Sequence, residues 1–432
     1  MRQSRISRRN FLRASAGSAC SLLILHRSAA STLANSRLRI GVVGVANRGR
    51  ANLDAVASEE IVALCDADGA YLEGAAQTYK NARQYRDFRA MIAGETLDAV
   101  VVSAPDHIHG PAGAAALRHG LHLYCEKPLA RSVYECRRLA ELAAEKNLAT
   151  QMGTQIHAGE NYRRVVELIQ AGAIGQVREV HVWCGKSWSD GRFGEPKDPP
   201  PDLDWNLWLG PRPERPYSDG LHPGHWRRFW EYGTGTLGDM ACHYMDLVFW
   251  ALNLRHPTRV EAWGPEVHPV GTPRSLKVRW DCPSGTDGRK MPVWWYDGGE
   301  RPAILRELRR ADGSPLQWGD GQLFVGDKGM LISDYSNHLL LPEEEFDGFE
   351  RPPKSIPPSI GHHAEWIRAC KEGTPTTCHF GYSGALAEAV LLGNTAFRAG
   401  GAIEWDASRM RVTNDAQAQA LIVPDFRAGF EV

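Results

Sequence analysis

From Leu38 onward, short apolar runs alternate with segments that favour helix. The runs Leu38–Val45 and Glu60–Cys65 flank a glycine-containing turn and a helix that ends near Ala57. The same pattern continues along the chain as strand Ala99–Ser103, helix Gly110–His119, strand His122–Cys125, helix Ser132–Lys146 and strand Leu148–Met152. Alternation of this regularity predicts a doubly wound parallel sheet with helices on both faces, a Rossmann-type domain. We place this domain at residues 36–153.

The pattern changes after Gly153, where strands dominate and predict a second domain over residues 154–432. The apolar runs are Arg178–Trp183, Arg259–Trp263, Leu276–Trp280, Pro292–Tyr296 and a hairpin at Gln322–Ser333 that turns at Gly326–Gly329. Such runs indicate an α+β domain with a largely antiparallel sheet, so the whole chain is α/β. Two late helices, near His363–Lys371 and Ser383–Ala399, are expected to pack back on the first domain.

The first residues have the features of an export signal. The pair Arg8-Arg9 precedes the apolar stretch Ala14–Leu25, which is shorter than the roughly 20 residues of a membrane span, and the small-residue run that follows suits cleavage after Ala30 or Ala34. We interpret residues 1–34 as a twin-arginine signal peptide. It predicts the twin-arginine export machinery as a partner and a periplasmic location, with membrane anchoring if the signal stays uncleaved.

A glycine motif follows the first strand of the predicted parallel sheet. It matches GxGxxG at Gly44 and Gly49 but has Ala46 at the middle position, and a plain tight turn is the alternative reading. Asp66 lies 17 residues after Gly49, near the distance at which a carboxylate accepts ribose hydroxyls. The motif predicts a nicotinamide dinucleotide on Gly44, Ala46, Asn47, Arg48, Gly49 and Asp66. Asp66 and Asp68 would repel a 2′-phosphate, which favours NAD over NADP, although either could be a solvated turn residue.

Two short motifs resemble the Gfo/Idh/MocA (glucose-fructose oxidoreductase, inositol dehydrogenase, rhizopine catabolism) family. They are Ser103–His109 and Cys125–Leu129, the latter with the Glu-Lys-Pro triplet typical of that family, and the likeness continues through Gly233–His243 and Glu404–Asp406. With Trp205–Pro211, the chain is similar to the exported, tryptophan-rich members. The resemblance implies cofactor contacts from Pro105, Asp106, His109, Glu126 and Lys127, a catalytic trio of Lys127, Asp239 and His243, and a homo-oligomer.

The implied trio suits oxidation of a carbinol. Removal of the hydroxyl proton needs a base, so we assign His243 as the base and Lys127 as the donor that stabilises the developing oxyanion. Asp239, four residues before His243 on a predicted helix Met240–Leu252, is an electrostatic partner or a substrate acceptor. Asp246 could orient the imidazole ring.

The histidine pair next to the predicted nicotinamide pocket has two readings. His107 and His109 could hold a divalent metal together with His243. The commoner arrangement, which we adopt, has one of them capping a helix and the other touching nicotinamide or substrate, with no metal.

Tryptophan and proline are concentrated between the two predicted sheets. Eight of the 26 prolines fall within Ser187–His225, which predicts a long ordered loop or lid. Indole faces suit the C–H face of a sugar ring, so the candidate substrate residues are Trp188, His225, Trp226, Arg227 and Trp230. Trp183 and Trp250 are expected in the core.

The combined features predict an NAD-dependent oxidoreductase acting on a sugar, glycoside or cyclic polyol. With 50 basic and 51 acidic residues, no overall charge attracts nucleic acid. Because the periplasm offers little free NAD, we expect the cofactor to be tightly bound. An NAD-containing glycosidase or lyase, working by transient oxidation and elimination without net redox, is the alternative. A non-catalytic sugar-binding protein on the same fold is a third possibility.

Overall fold

The computed structural model describes residues 36–284 and 289–432. The segment interpreted as a twin-arginine signal, residues 1–34, lies outside the described residues. Within the described ranges, no helix has the length and apolarity that crossing a membrane requires.

Six short strands form a parallel sheet in the first part of the chain. They are β1 (Arg39–Val43), β2 (Glu60–Cys65), β3 (Arg83–Tyr85), β4 (Ala99–Val102), β5 (His122–Cys125) and β6 (Thr150–Met152). Their order is β3-β2-β1-β4-β5-β6, and every neighbouring pair is parallel. The order reverses between β1 and β4, which opens a crevice at the carboxyl ends of these strands. This sheet confirms the predicted Rossmann fold.

Helices cover both faces of this sheet. They are α1 (Arg48–Ala55), α2 (Gly69–Ala76), α3 (Phe88–Gly94), α4 (Asp106–Arg118) and α5 (Val133–Glu145). Helix α4 begins four residues before the expected start at Gly110. A Cβ at Gly110 would lie 2.5 Å from Oε1 of Glu135, so this glycine permits close packing of α4 on α5 rather than ending a turn.

Nine strands form the second sheet. They are β7 (Val177–Trp183), β8 (Arg259–Trp263), β9 (Lys277–Ser284), β10 (Arg289–Tyr296), β11 (Gly321–Gly326), β12 (Met330–Ser333), β13 (His338–Leu341), β14 (Ile403–Asp406) and β15 (Arg411–Val412). Their order is β13-β12-β11-β7-β10-β9-β8-β14-β15. Strands β7 and β10 pair in parallel and the other described pairs are antiparallel, which confirms the predicted sheet type.

The remaining helices belong to the second part of the chain, and some of them pack against the first part. They are α6 (Glu160–Gln170), α7 (Trp205–Leu209), α8 (Cys242–Ala251), α9 (His362–Glu372), α10 (Phe380–Ala399) and α11 (Ala416–Ala420). Trp366 of α9 is buried with Leu38 and Ile40 against the parallel sheet. Arg137 of α5 forms an ion pair of 2.8 Å with Glu388 of α10. The interface between the parts is therefore apolar with a buried ionic contact, and it fixes the crevice geometry.

The eight described cysteines are all buried and unpaired. Those of the parallel-sheet domain include Cys65 and Cys125, and those elsewhere include Cys282 and Cys378. Burial raises the pKa of each of these four thiols. In the described ranges they act as small core side chains and not as disulfide partners.

Candidate active site

A cavity of about 700 Å³ lies at the carboxyl ends of the parallel strands. The predicted site residues of the first domain that line it are Gly44, Ala46, Asn47, Arg48, Asp66, Pro105, Asp106, His109, Glu126 and Lys127. From the rest of the chain come Lys186, Trp188, Trp208, His222, Trp226, Arg227, Asp239, His243 and Tyr335, among others. Residues far apart in sequence thus share one cleft between the two sheets.

The glycine motif shapes the turn from β1 into α1. Gly44 has φ of +82°, and a Cβ there would lie 2.7 Å from the carbonyl oxygen of Ser103. Gly49 does not line the cavity, but a Cβ at this position would lie 2.1 Å from the carbonyl oxygen of Gly44. Asn47, and not Ala46, has the positive φ, at +50°. An alanine therefore fits the middle position of the motif because the backbone there does not have a positive φ.

The turn offers donors for an anionic ligand. The backbone N–H groups of Ala46, Asn47 and Arg48, which precede or begin α1, donate no hydrogen bond to any of the described residues. Free N–H groups at a helix N-terminus, next to the Arg48 side chain, suit the pyrophosphate of a dinucleotide. The residues present therefore fit the phosphate part of NAD.

Asp66 lies at the other side of this turn, after β2. Its carboxylate accepts hydrogen bonds of 3.0 Å from the N–H groups of Val45 and Asp68 and lines the cavity. Burial raises the pKa of Asp66. Asp68 caps α2 and contacts His222 Nε2 at 2.8 Å, so neither acid is a solvated turn residue. This position fits a carboxylate that receives ribose hydroxyls.

The histidine pair does not converge on a metal site. His107 is buried, with Nε2 2.7 Å from the Trp208 carbonyl oxygen and Nδ1 3.3 Å from that of Tyr232. Burial lowers the pKa of His107 to about 3. Both ring nitrogens of His109 also lie near carbonyl oxygens, those of Ala104 at 2.7 Å and Pro128 at 2.8 Å. The metal alternative is wrong because all four ring nitrogens face the backbone.

Glu126 and Asp106 are buried carboxylates held by neutral donors. The amides of Asn52 and Gln155 donate to Glu126 Oε1 at 2.9 and 2.7 Å. The Thr234 hydroxyl donates to Asp106 at 2.7 Å, and burial raises the pKa of Asp106. Both carboxylates are therefore held in place as part of the cavity lining.

Asp239 is the most heavily bonded carboxylate of the site. It is 3% exposed and lies in a wide helical turn, Leu237–Ala241, that leads into α8. Oδ1 receives Lys127 Nζ at 2.5 Å and Arg227 Nε at 3.2 Å, while Oδ2 receives Lys186 Nζ at 2.8 Å and the Trp188 indole N–H at 2.7 Å. Burial acts to raise the pKa of Asp239, but the three cations outweigh it and hold that pKa well below its usual range.

The four donors decide between the two roles considered for Asp239. Both of its oxygens are already occupied by two donors each. The carboxylate therefore acts as an electrostatic partner that positions Lys127, and it has little capacity left to accept a substrate hydroxyl.

His243 lines the same cavity, one turn after Asp239. Burial, and then the nearby Lys127, lower the pKa of His243 to about 3, so the imidazole is neutral near pH 7. Its Nδ1 is buried without a hydrogen-bond partner among the described residues. Asp246 does not orient this ring, because its carboxylate contacts His157 Nδ1 at 2.9 Å and the Tyr382 hydroxyl at 2.8 Å.

The candidate substrate residues separate into two groups. Trp188, Trp226 and Arg227 line the cavity. His225 does not, because its side chain is exposed on the outer side of the short turn His225–Arg228. Trp230 also lies outside, since its indole packs near Phe397 and donates to the His268 carbonyl oxygen at 3.1 Å. These two assignments are wrong.

Several lining residues escaped the sequence analysis. Lys186 follows β7 and Tyr335 lies in the turn between β12 and β13, and neither belongs to a recognisable motif. Gln155 and His222 also line the cavity. The only sequence signal for Lys186 was its position two residues before Trp188 at the end of a predicted strand.

Family models match two stretches of the chain. Residues 38–154 match a model described as an oxidoreductase family, NAD-binding Rossmann fold. Residues 162–288 match its companion, described as an oxidoreductase family, C-terminal alpha/beta domain. Together the two matches span more than half of the 432 residues.

Known proteins resemble the chain in part or in fold. Inositol 2-dehydrogenase of Salmonella typhimurium strain LT2 is 30% identical over 169 residues, which are 38% of this chain and 49% of that protein, so the chain spans about half the length of this relative. The structure of GenD2 from gentamicin A biosynthesis, in complex with NAD, is 18% identical and covers 86% of this chain and 97% of its own, with a TM-score of 0.58.

A second solved structure gives the same result. The WlbA dehydrogenase from Bordetella pertussis, in complex with NADH and UDP-GlcNAcA, is 16% identical, with coverage of 86% and 99% and a TM-score of 0.59. Identities this low establish a shared fold, and the fold alone.

Proposed function

Because this chain belongs to the Gfo/Idh/MocA family of oxidoreductases, whose first domain is an NAD-binding Rossmann fold, we propose that it is a dehydrogenase of a sugar, glycoside or cyclic polyol. One observation carries the proposal. Lys127, Asp239 and His243 line a cavity that also contains the glycine turn and Asp66, which is the arrangement expected of a site for a dinucleotide next to a carbinol.

The side chains divide the chemistry of alcohol oxidation among them. When bound, NAD would accept the hydride from the substrate carbinol carbon. Lys127, fixed by Asp239, donates a hydrogen bond to the carbinol oxygen and stabilises the negative charge that develops there. The neutral imidazole of His243 accepts the hydroxyl proton. With a pKa of about 3, His243 releases that proton readily to water.

A direct experiment tests this proposal. The protein is purified without added nucleotide and denatured, and the released dinucleotide is identified by mass spectrometry. The holoprotein is then mixed with sugars and polyols while the absorbance of reduced nicotinamide is followed. We expect NAD in the supernatant and absorbance growth with at least one carbinol. A protein with no nucleotide and no nucleotide affinity would contradict the proposal.

The pH dependence of kcat/KM provides a test of the base. If the base were a histidine with an ordinary pKa near 6.5, it would be protonated below that pH and the enzyme would lose activity. Because the pKa of His243 is lowered to about 3, we expect no acid limb from this group between pH 5 and 8. Steady-state rates across that range, in a buffer series of constant ionic strength, measure the profile. A tenfold fall in kcat/KM from pH 7 to pH 5 that disappears in a His243→Gln variant would contradict the lowered pKa of His243 and leave its role as the base intact.

We propose that the cofactor is retained by a strap, defined as residues 198–224. The strap is bound to the turn after β2 by two backbone hydrogen bonds, Gly69 N–H to Asp202 at 2.8 Å and Asp204 N–H to Ala67 at 2.9 Å. His222, on the strap, contacts Asp68 and lines the cavity. Since Asp66 marks the ribose end of the expected dinucleotide, the strap closes over that end.

Loosening the strap is expected to speed cofactor release. Replacing His222 by alanine removes its contact with Asp68, and a hydrogen bond of this kind contributes about 1 kcal/mol, so we expect NAD to dissociate about fivefold faster. Exchange of bound NAD against isotope-labelled NAD measures the rate. The control Asp219→Asn changes an exposed strap residue paired with Lys197. Equal rates in the wild type and the His222→Ala variant would contradict the strap proposal.

The proposed retention of the cofactor also suits the second candidate function. A redox-neutral glycosidase or lyase oxidises a carbinol to a ketone, removes a proton from the neighbouring carbon as the leaving group departs from the carbon beyond it, and then returns the hydride to the ketone, so it needs no second redox substrate. Such an enzyme would turn over on its bound NAD alone and exchange solvent deuterium next to the oxidised carbon. A net dehydrogenase would accumulate reduced nicotinamide instead.

A further inference from the structure

The substrate side of the cavity carries more positive than negative charge. Lys127, Lys186 and Arg227 all contact the single carboxylate of Asp239. No other carboxylate of the described chain lies within ion-pair distance of Lys186 or Arg227. Within ion-pair distance, three cations therefore share one carboxylate, while the buried carboxylate of Asp106 acts on Arg227 and Lys127 from farther away.

Arg227 is held in a fixed orientation. Its Nε donates to Asp239, and its Cζ lies 4.1 Å from the centroid of the Trp226 ring and 5.7 Å from that of the Trp188 ring. Its two terminal amino groups make no hydrogen bond with the described residues. The guanidinium is thus a pre-oriented fork in the cavity wall, with the geometry that binds planar oxyanions through two parallel hydrogen bonds.

Lys186 adds a second free donor next to this fork. Its side chain is 41% exposed, and its Nζ lies 4.9 Å from the Trp188 ring centroid. Contacts with Asp239 and with the Met240 sulfur at 3.7 Å leave an ammonium proton for a ligand. Both free donors flank Trp188, which is therefore bordered by cations.

We propose that the substrate is an anionic sugar, a hexuronic acid or its glycoside, whose carboxylate binds Arg227 and Lys186. The proposal rests on the function proposed above. A neutral sugar would leave three cations in contact with a single carboxylate, whereas a planar carboxylate on the sugar matches the fork of Arg227. Lys127 and Arg227 bond the same oxygen of Asp239, so these two side chains are close enough to bind the reacting hydroxyl and the carboxylate of one sugar ring.

Matched sugar pairs test the proposal on the NAD-loaded protein. The methyl glycosides of glucuronate, galacturonate and mannuronate are compared with those of glucose, galactose and mannose. Binding is measured by titration calorimetry and turnover by reduced-nicotinamide absorbance. We expect at least one acid to bind about tenfold more tightly than its neutral partner, as a charge-assisted hydrogen bond predicts, and this advantage to shrink at high salt.

Substitutions of Arg227 and Lys186 test whether these two cations cause the preference for the acid. Arg227→Gln and Lys186→Gln should each remove most of the preference for the acid, while Arg227→Lys, which keeps the charge but not the fork, should keep part of it. Lys197→Gln is the matched control, since it removes a positive charge on an exposed side chain that does not line the cavity. Circular dichroism of each variant checks that the fold is retained.

The possible outcomes separate this proposal from the general one. Reduced nicotinamide with neutral sugars at equal or better kcat/KM would overturn the anionic substrate and leave the dehydrogenase intact. Selective binding of a uronate that depends on Arg227, without redox turnover, would support the anion site and contradict the dehydrogenase. Tighter binding of glucose 6-sulfate or 6-phosphate than of every uronate, or failure to bind any acid, would overturn the carboxylate assignment.

Discussion

Replacing Lys127 by methionine is expected to lower kcat by about 10²- to 10³-fold while NAD stays bound. The loss follows because removal of one oxyanion donor typically has this effect on kcat. In the described part of the chain, Lys127 is also the one ammonium group bonded to Oδ1 of Asp239. Stopped-flow absorbance of the holoprotein measures the rate, and mass spectrometry of the released nucleotide measures the bound NAD.

The control for this variant is Lys146→Met, an exposed lysine that follows α5. It should leave kcat within a factor of two of the wild type. A Lys127→Met enzyme with near-normal kcat would remove Lys127 from the catalytic group. Loss of bound NAD together with activity would assign Lys127 to cofactor binding instead.

Replacing Asp239 by asparagine is expected to destabilise the protein as well as inactivate it. The change leaves three cations close together without their shared carboxylate, and breaking a buried ionic contact typically costs about 3 kcal/mol or more. Denaturant unfolding at pH 7, followed by tryptophan fluorescence, measures the difference. The control Asp54→Asn affects only exposed contacts, an ion pair with Arg50 and a hydrogen bond from the Tyr79 hydroxyl, and should change stability by less than about 1 kcal/mol.

The difference in stability between the wild type and the Asp239→Asn variant should depend on pH. The folded-state pKa of Asp239 lies below its value near 4 in the unfolded chain, so its stabilisation is fully present above pH 4. It is lost as the pH falls through the folded-state pKa. The stability gap between wild type and Asp239→Asn should therefore narrow between pH 4 and pH 2. A gap that widens on acidification would contradict this account.

The sequence was most informative where the chain repeats a simple physical pattern. Strands of a parallel sheet are buried on both faces, so β1, β2, β4 and β5 stand out as apolar runs. The start of α4 was misplaced because Gly110 and Pro111 look like helix breakers. In the fold, Gly110 serves packing against Glu135, a reason that involves residues distant in sequence.

The site residues also divide into those that the sequence could predict and those that it could not. Lys127, Asp239 and His243 belong to motifs and could be named in advance. Trp230 was assigned to the substrate because it lies near Trp226 in sequence, but only the Trp226 side chain lines the cavity, while the Trp230 indole donates to the His268 carbonyl oxygen. Lys186 could not be found, because its role arises only when β7 is placed next to the turn that holds Asp239.

The buried cysteines give this protein an internal reporter of its own unfolding. All eight described thiols are shielded in the native state, so an alkylating reagent can label them only when the surrounding structure opens. Cys65, Cys125 and Cys136 report on the parallel-sheet domain, and Cys184 and Cys282 report on the large sheet. Pulsed alkylation read by mass spectrometry would therefore reveal whether the two halves open together or in sequence, without any engineered label.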